Sequence, residues 1–343
     1  MESSTTSQDP ADSSPTHRTD PVMRQLFLAL DTSNYTTSTA VCDANGEVLL
    51  NFKRLLPVKE GERGLRQSDA VFHHVKALPD AAAEAGKYLT DGALAAVGVS
   101  YAPRDTDGSY MPCFLSGIAS AEFTAKTNGV PLYRFSHQAG HVMAALSSAC
   151  KNGGEDRDRI MSSPFLAFHV SGGTTDLLLV EPDNERIFRI TQIGGSRDLN
   201  GGQVIDRTGV KMGLKFPCGA EMDKAAMRYD GKVTKCGLSV DGMWCNLSGL
   251  ENKAEDMWKK SGSVEETSAF VLTFLARTLE RMTLAAFDEI GKMPVVYAGG
   301  VMSSTYIRKT LSEYGMFSSA EFSSDNAAGV ALLTAEKYRR EYE

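Results

Sequence analysis

The chain has 343 residues, more than one compact core usually holds, so its length favours two lobes. Hydrophobic residues make up 42% and charged residues 23%, which excludes a wholly disordered, collagen-like or coiled-coil protein. Lys and Arg number 36 against 43 Asp and Glu, giving a formal net charge of -7. Contact with a nucleic acid would therefore need a local basic surface or a partner protein.

The cysteine pattern and the hydropathy indicate the cellular compartment of the protein. The six cysteines are scattered without a Cys-x-x-Cys pair, and no signal-peptide pattern precedes them. No apolar run approaches the roughly 20 residues that cross a bilayer. We therefore expect a reduced, cytoplasmic protein without membrane segments.

The first half of the chain predicts a disordered tail followed by an α/β lobe. Residues 1–25 are rich in Ser, Thr, Pro and Asp and predict the tail. A helix with Val71 and Val75 on one face is predicted to break near Pro79 and resume to Gly86. A second helix is predicted at 111–127. Strands are predicted at 26–31, 37–42, 48–54, 94–100 and 130–135.

The strand pattern then restarts, which indicates a duplicated lobe. Strands are predicted at 165–170, 175–180, 187–190 and 295–298, with a long helix before the last of them. We expect a first lobe at 26–135, completed by a C-terminal helix at 327–343, and a second lobe at 136–326.

Both lobes contain a strand, a hydroxyl-rich turn and a second strand. The first turn follows Asp31, and the second is Ser171-Gly172-Gly173-Thr174. This repetition is typical of two-lobed nucleotide-binding proteins whose hairpins hold phosphate from two sides, although polar hairpin turns are also common without a ligand. Gly299-Gly300 ends a strand where a ligand could approach the backbone, or where the chain simply turns into a helix.

A pair of histidines indicates a metal site. His137 and His141 are four residues apart, so on a helix both imidazoles face one side and can reach one ion. Such a pair also arises by coincidence in roughly one random chain in ten. Asp325 precedes a predicted helix and is the candidate third ligand; alternatively it is an ordinary helix N-cap.

Six motifs occur in an order typical of one known family. They are His137-x-x-Gly140-His141, Val170-Ser171-Gly172-Gly173-x-Thr175, Gly213-Leu214-x-Phe216-Pro217-x-Gly219, Ser248-Gly249-Leu250, Gly299-Gly300-Val301 and Ser324-Asp325-Asn326. With them the chain resembles the TsaD/Gcp (Kae-type) family from Leu26 to its C-terminus. That family was once called O-sialoglycoprotein endopeptidase and is now understood as tRNA threonylcarbamoyladenosine transferases.

The resemblance implies a fold and a ligand set. The implied fold is α/β: a two-lobed actin-like, sugar kinase and heat-shock chaperone ATPase fold with duplicated ribonuclease-H-like cores. One divalent ion, iron or zinc, is implied at His137, His141 and Asp325, and ATP or threonylcarbamoyl-adenylate is the implied nucleotide. The implied nucleotide contacts are Ser171, Gly172, Gly173, Thr174, Asp206, Gly219, Asp223, Gly300 and Ser304. Asp206, the implied ribose acceptor, could otherwise be a surface carboxylate.

The implied reaction transfers threonylcarbamoyl from its adenylate to the adenosine beside the tRNA anticodon, with release of AMP. The implied partners are proteins that supply tRNA contacts, including an actin-like heterodimer partner and a small ATPase. The acidic charge of the chain agrees with such help, because phosphate binding needs local Lys and Arg.

The sequence departs from the family pattern in the first hairpin. The family usually has Glu-Thr-Ser-Cys-Asp-Glu-Thr there, and this chain has Asp31-Thr32-Ser33-Asn34-Tyr35-Thr36-Thr37. Thr174 also replaces a usual His or Asn, Gln203 a usual Glu, and Ser304 a common Asn. Asp31 is therefore the candidate catalytic carboxylate, although it could be a turn-starting Asp that binds the following backbone.

Two alternative functions stay open at this point. A divergent paralogue could bind metal and nucleotide as a regulatory or partner protein without catalysing the transfer. A metalloprotease is the remote alternative, because Gln138 stands where zinc peptidases with this histidine spacing carry a general-base Glu.

Overall fold

The computed structural model describes residues 23–33, 35–57, 65–90, 92–322 and 327–343. The predicted tail, apart from its last three residues, lies outside this range. The strands are β1 (Gln25–Asp31), β2 (Thr36–Asp43), β3 (Val48–Leu55), β4 (Ala93–Ala102), β5 (Leu132–Ser136), β6 (Phe165–Val170), β7 (Thr175–Asp183), β8 (Ile187–Ser196), β9 (Val240–Asp241), β10 (Trp244–Cys245), β11 (Val295–Ala298) and β12 (Met316–Phe317).

Ten α-helices and two short 3-10 helices, Gly300–Ser303 and Ala320–Phe322, are assigned among these residues. The α-helices are α1 (Gln67–Leu89), α2 (Phe114–Asn128), α3 (His137–Gly153), α4 (Arg157–Met161), α5 (Gly201–Lys211), α6 (Gly219–Arg228), α7 (Ser248–Ser261), α8 (Val264–Ile290), α9 (Thr305–Leu311) and α10 (Ala328–Tyr342). Within the described ranges, none of the helices combines the length and apolarity that a bilayer crossing requires.

Two mixed sheets repeat one strand order. The first sheet has the order β3-β2-β1-β4-β5, in which β1 pairs antiparallel with β2 and parallel with β4. In the second sheet β8-β7-β6-β11-β12 repeats this order and these directions, and β10 and β9 extend it beyond β8. The duplication predicted from the sequence is thus present in the strand pairing.

Helices cover both faces of each sheet. An apolar cluster that includes Phe27, Leu146, Phe165 and Val330 joins both sheets through α3 and α10, which lie between them. The outer face of the first sheet is covered by α1 and α2, and that of the second by the helices from α5 to α9. Because α3 contacts strands of both sheets, its side chains reach the region where strands of the two sheets end.

One helix differs from the sequence prediction. The interruption predicted near Pro79 is wrong, because α1 runs unbroken from Gln67 to Leu89. Proline removes one helical hydrogen bond, and the carbonyl that loses it belongs to Val75, on the solvent side of the helix. The opposite face, with Ala70, His74 and Ala77, is buried against the sheet and maintains the helix. The helix that follows Gly299-Gly300 begins as α9 at Thr305, after a 3-10 turn.

Close packing of α3 on α10 depends on glycine. A Cβ atom built at Gly329 would overlap the backbone carbonyl oxygen of Gly140, and one built at Gly140 would lie 2.9 Å from a methyl group of Val330. Any larger residue at position 329 would push the two helices apart.

We predict that Gly329→Ala lowers the free energy of unfolding by about 1–3 kcal/mol, because the added methyl overpacks this contact. Gly86→Ala on α1 is the matched control, since a Cβ there meets no atom within 4 Å. It should leave stability unchanged or raise it by up to about 1 kcal/mol. Urea unfolding checks both variants, and equal stability of the two proteins would contradict the packing argument.

Candidate functional site

The first turn of α3 begins at the carboxyl end of β5, and its cap fixes the direction of the helix. Ser136 accepts a hydrogen bond from the Ala139 backbone N–H, and its own hydroxyl donates to Asp105 at 2.7 Å. The Gln138 N–H donates to the Pro103 carbonyl at 3.0 Å. The loop after β4 therefore holds the helix start that carries His137.

Asp31, His137 and His141 form one hydrogen-bonded chain. Asp31 Oδ2 lies 2.7 Å from His137 Nδ1, and His137 Nε2 lies 2.8 Å from His141 Nε2. An ionised carboxylate only accepts hydrogen bonds, so Nδ1 of His137 carries a proton, and in the neutral ring Nε2 then presents a lone pair. The structure thus joins the predicted catalytic carboxylate to the two predicted metal ligands.

The Asp31 carboxylate is buried and fully engaged. Burial alone would raise its pKa, but the attraction of His137 and hydrogen bonds from His137, Ser100 and Ser33 lower the pKa below its usual value. The Ser100 hydroxyl donates to Oδ2 at 2.6 Å and the Ser33 N–H to Oδ1 at 2.8 Å. These contacts keep the carboxylate ionised and in one orientation.

The two imidazoles fit a shared metal ion. Ring nitrogens about 2.0–2.1 Å from one ion are about 2.9 Å apart when the two bonds are perpendicular and about 3.3 Å apart at the tetrahedral angle, so the observed 2.8 Å is nearer the perpendicular arrangement. The Asp31 contact also supplies the carboxylate that metal-binding histidines usually have on their other nitrogen. Within the described ranges no group of three His, Cys, Asp or Glu side chains is placed to hold an ion. Asp325, the predicted third ligand, lies outside those ranges.

A third imidazole, which the sequence reasoning missed, lies beside this pair. The His169 ring on β6 packs against the His141 ring, with centroids 5.1 Å apart. Its position two residues before Ser171 was the available signal, since a histidine at the end of a buried strand faces the same site as the turn that follows. His169 places the second hairpin next to the α3 histidines.

The second hairpin lies against the start of α5. Ser171 N–H donates to the Thr174 carbonyl at 2.8 Å, which closes the turn, and Gly202 N–H donates to the Ser171 carbonyl at 3.0 Å. A Cβ atom at Gly202 would lie 2.6 Å from the Gly172 nitrogen, so only glycine permits this approach. Gly172 itself is exposed, with open space where its side chain would be.

Asp206 and Gly219 meet where α5 contacts α6. Asp206 Oδ1 accepts a hydrogen bond from the Cys218 N–H at 2.8 Å, which caps α6 just before Gly219. Asp206 is half-buried, so its carboxylate still reaches the surface. The structure brings these two predicted contacts together, and the ribose contact stays a prediction.

Asp223 and Ser304 are also in contact with each other, and their contacts cap helix α9. Ser304 donates its hydroxyl to Asp223, and the carboxylate accepts the Thr305 and Tyr306 N–H groups at the start of α9. Their predicted nucleoside contact stays untested. Gly299, with φ +98°, lies directly against the Val170 backbone, and Gly300 beside it is exposed.

Comparison with known proteins identifies relatives along most of the chain. Residues 47–332 match the family model described as TsaD, tRNA N6-adenosine threonylcarbamoyltransferase. A protein of that name from Streptococcus mutans serotype c is 29% identical over 92% of this chain and 93% of its own length. One from Streptococcus thermophilus is 30% identical over 91% of both chains.

Solved structures at lower identity share the fold. Component A of (R)-2-hydroxyglutaryl-CoA dehydratase from Acidaminococcus fermentans gives a TM-score of 0.51 at 14% identity, covering 92% of this chain and 99% of its own. HypF from T. kodakarensis gives 0.53 at 11% identity, covering 93% of this chain and 48% of its own. With the doubled strand order, these matches confirm the predicted actin-like ATPase fold.

We predict that Asp31→Asn weakens zinc binding about 10–100-fold, because an amide does not hold the His137 ring as a carboxylate does. Asp43→Asn is the matched control: Asp43 is a buried carboxylate at the far end of β2, paired with Arg24. Zinc affinity would be measured by competition with a chelator, with urea unfolding run in parallel. Equal zinc affinity of the two variants would contradict the role assigned to Asp31.

Proposed function

The chain belongs to the tRNA N6-adenosine threonylcarbamoyltransferase family, and we propose that its transfer reaction takes place between the two sheets, at the α3 histidines and the second hairpin. The transferase family predicted from the motifs is confirmed by these matches. The observation that carries the proposed site is the chain of short contacts from Asp31 through His137 to His141, with His169 leading on to the second hairpin.

The proposed substrate is threonylcarbamoyl-adenylate, and the acceptor is N6 of the adenosine beside the tRNA anticodon. The bond from the carbamoyl carbon to the adenylate oxygen breaks while a bond from that carbon to N6 forms. AMP and one proton are released. Because an exocyclic amine is a poor nucleophile, the site must orient it and stabilise the charge that develops on the carbamoyl and phosphate groups.

The nucleotide half of the site is proposed on the second lobe. Gly172 and Gly173 are exposed, so their backbone can approach a phosphate without side-chain interference. The N-terminus of α5 lies directly behind them, where the helix dipole favours negative charge. Asp206 would accept a ribose hydroxyl, because its carboxylate is half-exposed and oriented by the Cys218 N–H.

The metal half of the site is proposed on α3. His137 and His141, with Asp325, would hold one iron or zinc ion, which would supply Lewis acidity and a template for the transferred group. Asp31 would hold the His137 ring in the orientation that presents Nε2. Since both of its oxygens are already hydrogen-bonded and buried, we assign Asp31 as a positioning residue that acts through His137.

We predict that the purified protein, with partner proteins and unmodified tRNA, converts threonylcarbamoyl-adenylate into threonylcarbamoyladenosine. His137→Ala should reduce the rate about 100-fold or more, because it removes a ligand from the charge-stabilising centre. Asp43→Asn, whose carboxylate is paired with Arg24 away from the site, is the control and should retain the rate. Mass spectrometry of digested tRNA gives the yield.

The outcome also separates this function from its alternative. If no combination of partners yields product while metal and nucleotide bind, the chain is a non-transferase paralogue. An equal loss in Asp43→Asn would contradict the assignment of His137.

A protein partner is part of the proposal. A groove of about 420 Å³ lies between α1 and α2, lined mainly by apolar and small side chains, and Phe72 and Phe123 lie within one helical turn of groove-lining residues. Phe72 is 59% exposed and Phe123 72%. Exposed aromatic side chains beside an apolar groove are typical of protein interfaces. We assign this face to a partner of the same actin-like fold, which would supply tRNA contacts together with a small ATPase.

We predict that Phe123→Glu weakens binding of the actin-like partner by about 2 kcal/mol or more, roughly 30-fold in Kd, because it places a charge in the apolar contact. Val210→Glu is the matched control, since Val210 is 54% exposed on α5, away from this face. Calorimetric titration with the partner from the same genome checks both variants. Unchanged affinity in Phe123→Glu would exclude this face as the interface.

A further inference from the structure

The loop after β4 reaches across to the second sheet through Arg104. Its guanidinium donates from Nη2 to Asp176 Oδ2 at 3.0 Å and from Nη1 to Gln192 Oε1 at 3.1 Å. Gln192 Nε2 in turn donates to Asp176 Oδ1 at 2.9 Å. This closed set of three hydrogen bonds fixes the plane of the guanidinium between a loop of the first lobe and strands of the second.

The position of Arg104 relative to the site follows from its neighbours. Pro103 accepts the Gln138 N–H, next to His137, and Asp176 follows directly after Thr175, where the second hairpin ends. In the β6–β7 pairing, Asp176 lies opposite His169. The guanidinium therefore contacts the β7–β8 pair beside the end of the second hairpin, with His169 on the neighbouring strand β6.

The guanidinium retains capacity for a ligand. An arginine carries five N–H donors, and the contacts with Asp176 and Gln192 use two of them. The Arg104 side chain is 45% exposed, whereas that of Asp176 is 12% exposed. The guanidinium is thus anchored through two N–H groups while much of the side chain stays exposed, an arrangement suited to binding a carboxylate or phosphate through the remaining N–H groups.

The substrate supplies two such groups. Threonylcarbamoyl-adenylate carries the free carboxylate of its threonine and the phosphate of its adenylate. We propose that Arg104 is a substrate-binding residue that holds one of these anions beside the end of the second hairpin. This inference rests on the proposed function.

Three probes distinguish the two anions: threonylcarbamoyl-adenylate, AMP, which lacks the carboxylate, and adenosine, which lacks both. Arg104→Gln should weaken threonylcarbamoyl-adenylate binding about 10–100-fold, the range for loss of a charge-assisted hydrogen bond, and leave adenosine binding unchanged. Unchanged AMP affinity assigns the carboxylate to Arg104, and an equal loss for AMP assigns the phosphate. Calorimetric titration measures all three.

Two further variants define the role. Arg104→Lys should bind with intermediate affinity, because it keeps the charge but not the planar fork. Arg189→Gln is the matched control: Arg189 forms a similar ion pair with Glu181 across the same β7–β8 pair. It should bind all three probes as the wild-type protein does.

Two results would overturn the inference. Unchanged threonylcarbamoyl-adenylate affinity in Arg104→Gln would exclude contact with the substrate. An equal loss for all three probes, adenosine included, would mean that Arg104 only holds the lobes together. A wild-type protein that binds neither threonylcarbamoyl-adenylate nor AMP would instead refute the proposed function, and this inference with it.

Discussion

The site depends on one buried contact, between the Asp31 carboxylate at the end of β1 and the His137 ring at the start of α3. A buried carboxylate is costly unless it is paired and hydrogen-bonded, and Asp31 satisfies this through His137, Ser100 and Ser33. The same contact sets the tautomer of His137 and thus the direction in which its Nε2 faces. The pairing that the buried Asp31 carboxylate needs in the first sheet therefore also orients the ring of His137 in the proposed site.

The position of α3 connects the contact between Asp31 and His137 to both lobes. The helix lies between the sheets with α10, where Gly140 and Gly329 allow close approach, and its first turn is held by the loop after β4. His141, one turn later, packs against His169 at the end of β6. The α3 histidines and the strand that leads into the second hairpin consequently lie next to each other.

Much of this arrangement could be predicted from the sequence, because local patterns report local structure. The strand and turn repetition predicted the duplicated sheets, and the spacing of His137 and His141 predicted a shared helix face. What could not be predicted depends on contacts between distant segments. The unbroken α1 through Pro79, the packing of His169 on His141, and the capping pair of Asp223 and Ser304 all require the tertiary structure. The sequence indicated Asp31 as a candidate functional carboxylate, but not that it is the hydrogen-bond partner of His137.

A double-mutant cycle between Asp31 and His137, with zinc affinity as the readout, tests the central claim most directly. The account predicts that Asp31→Asn weakens zinc binding in the wild-type background and has no further effect once His137 is alanine, because Asp31 acts through that ring. Additive losses in the double variant would contradict the account, since they would mean that the carboxylate contributes to the metal site independently of His137.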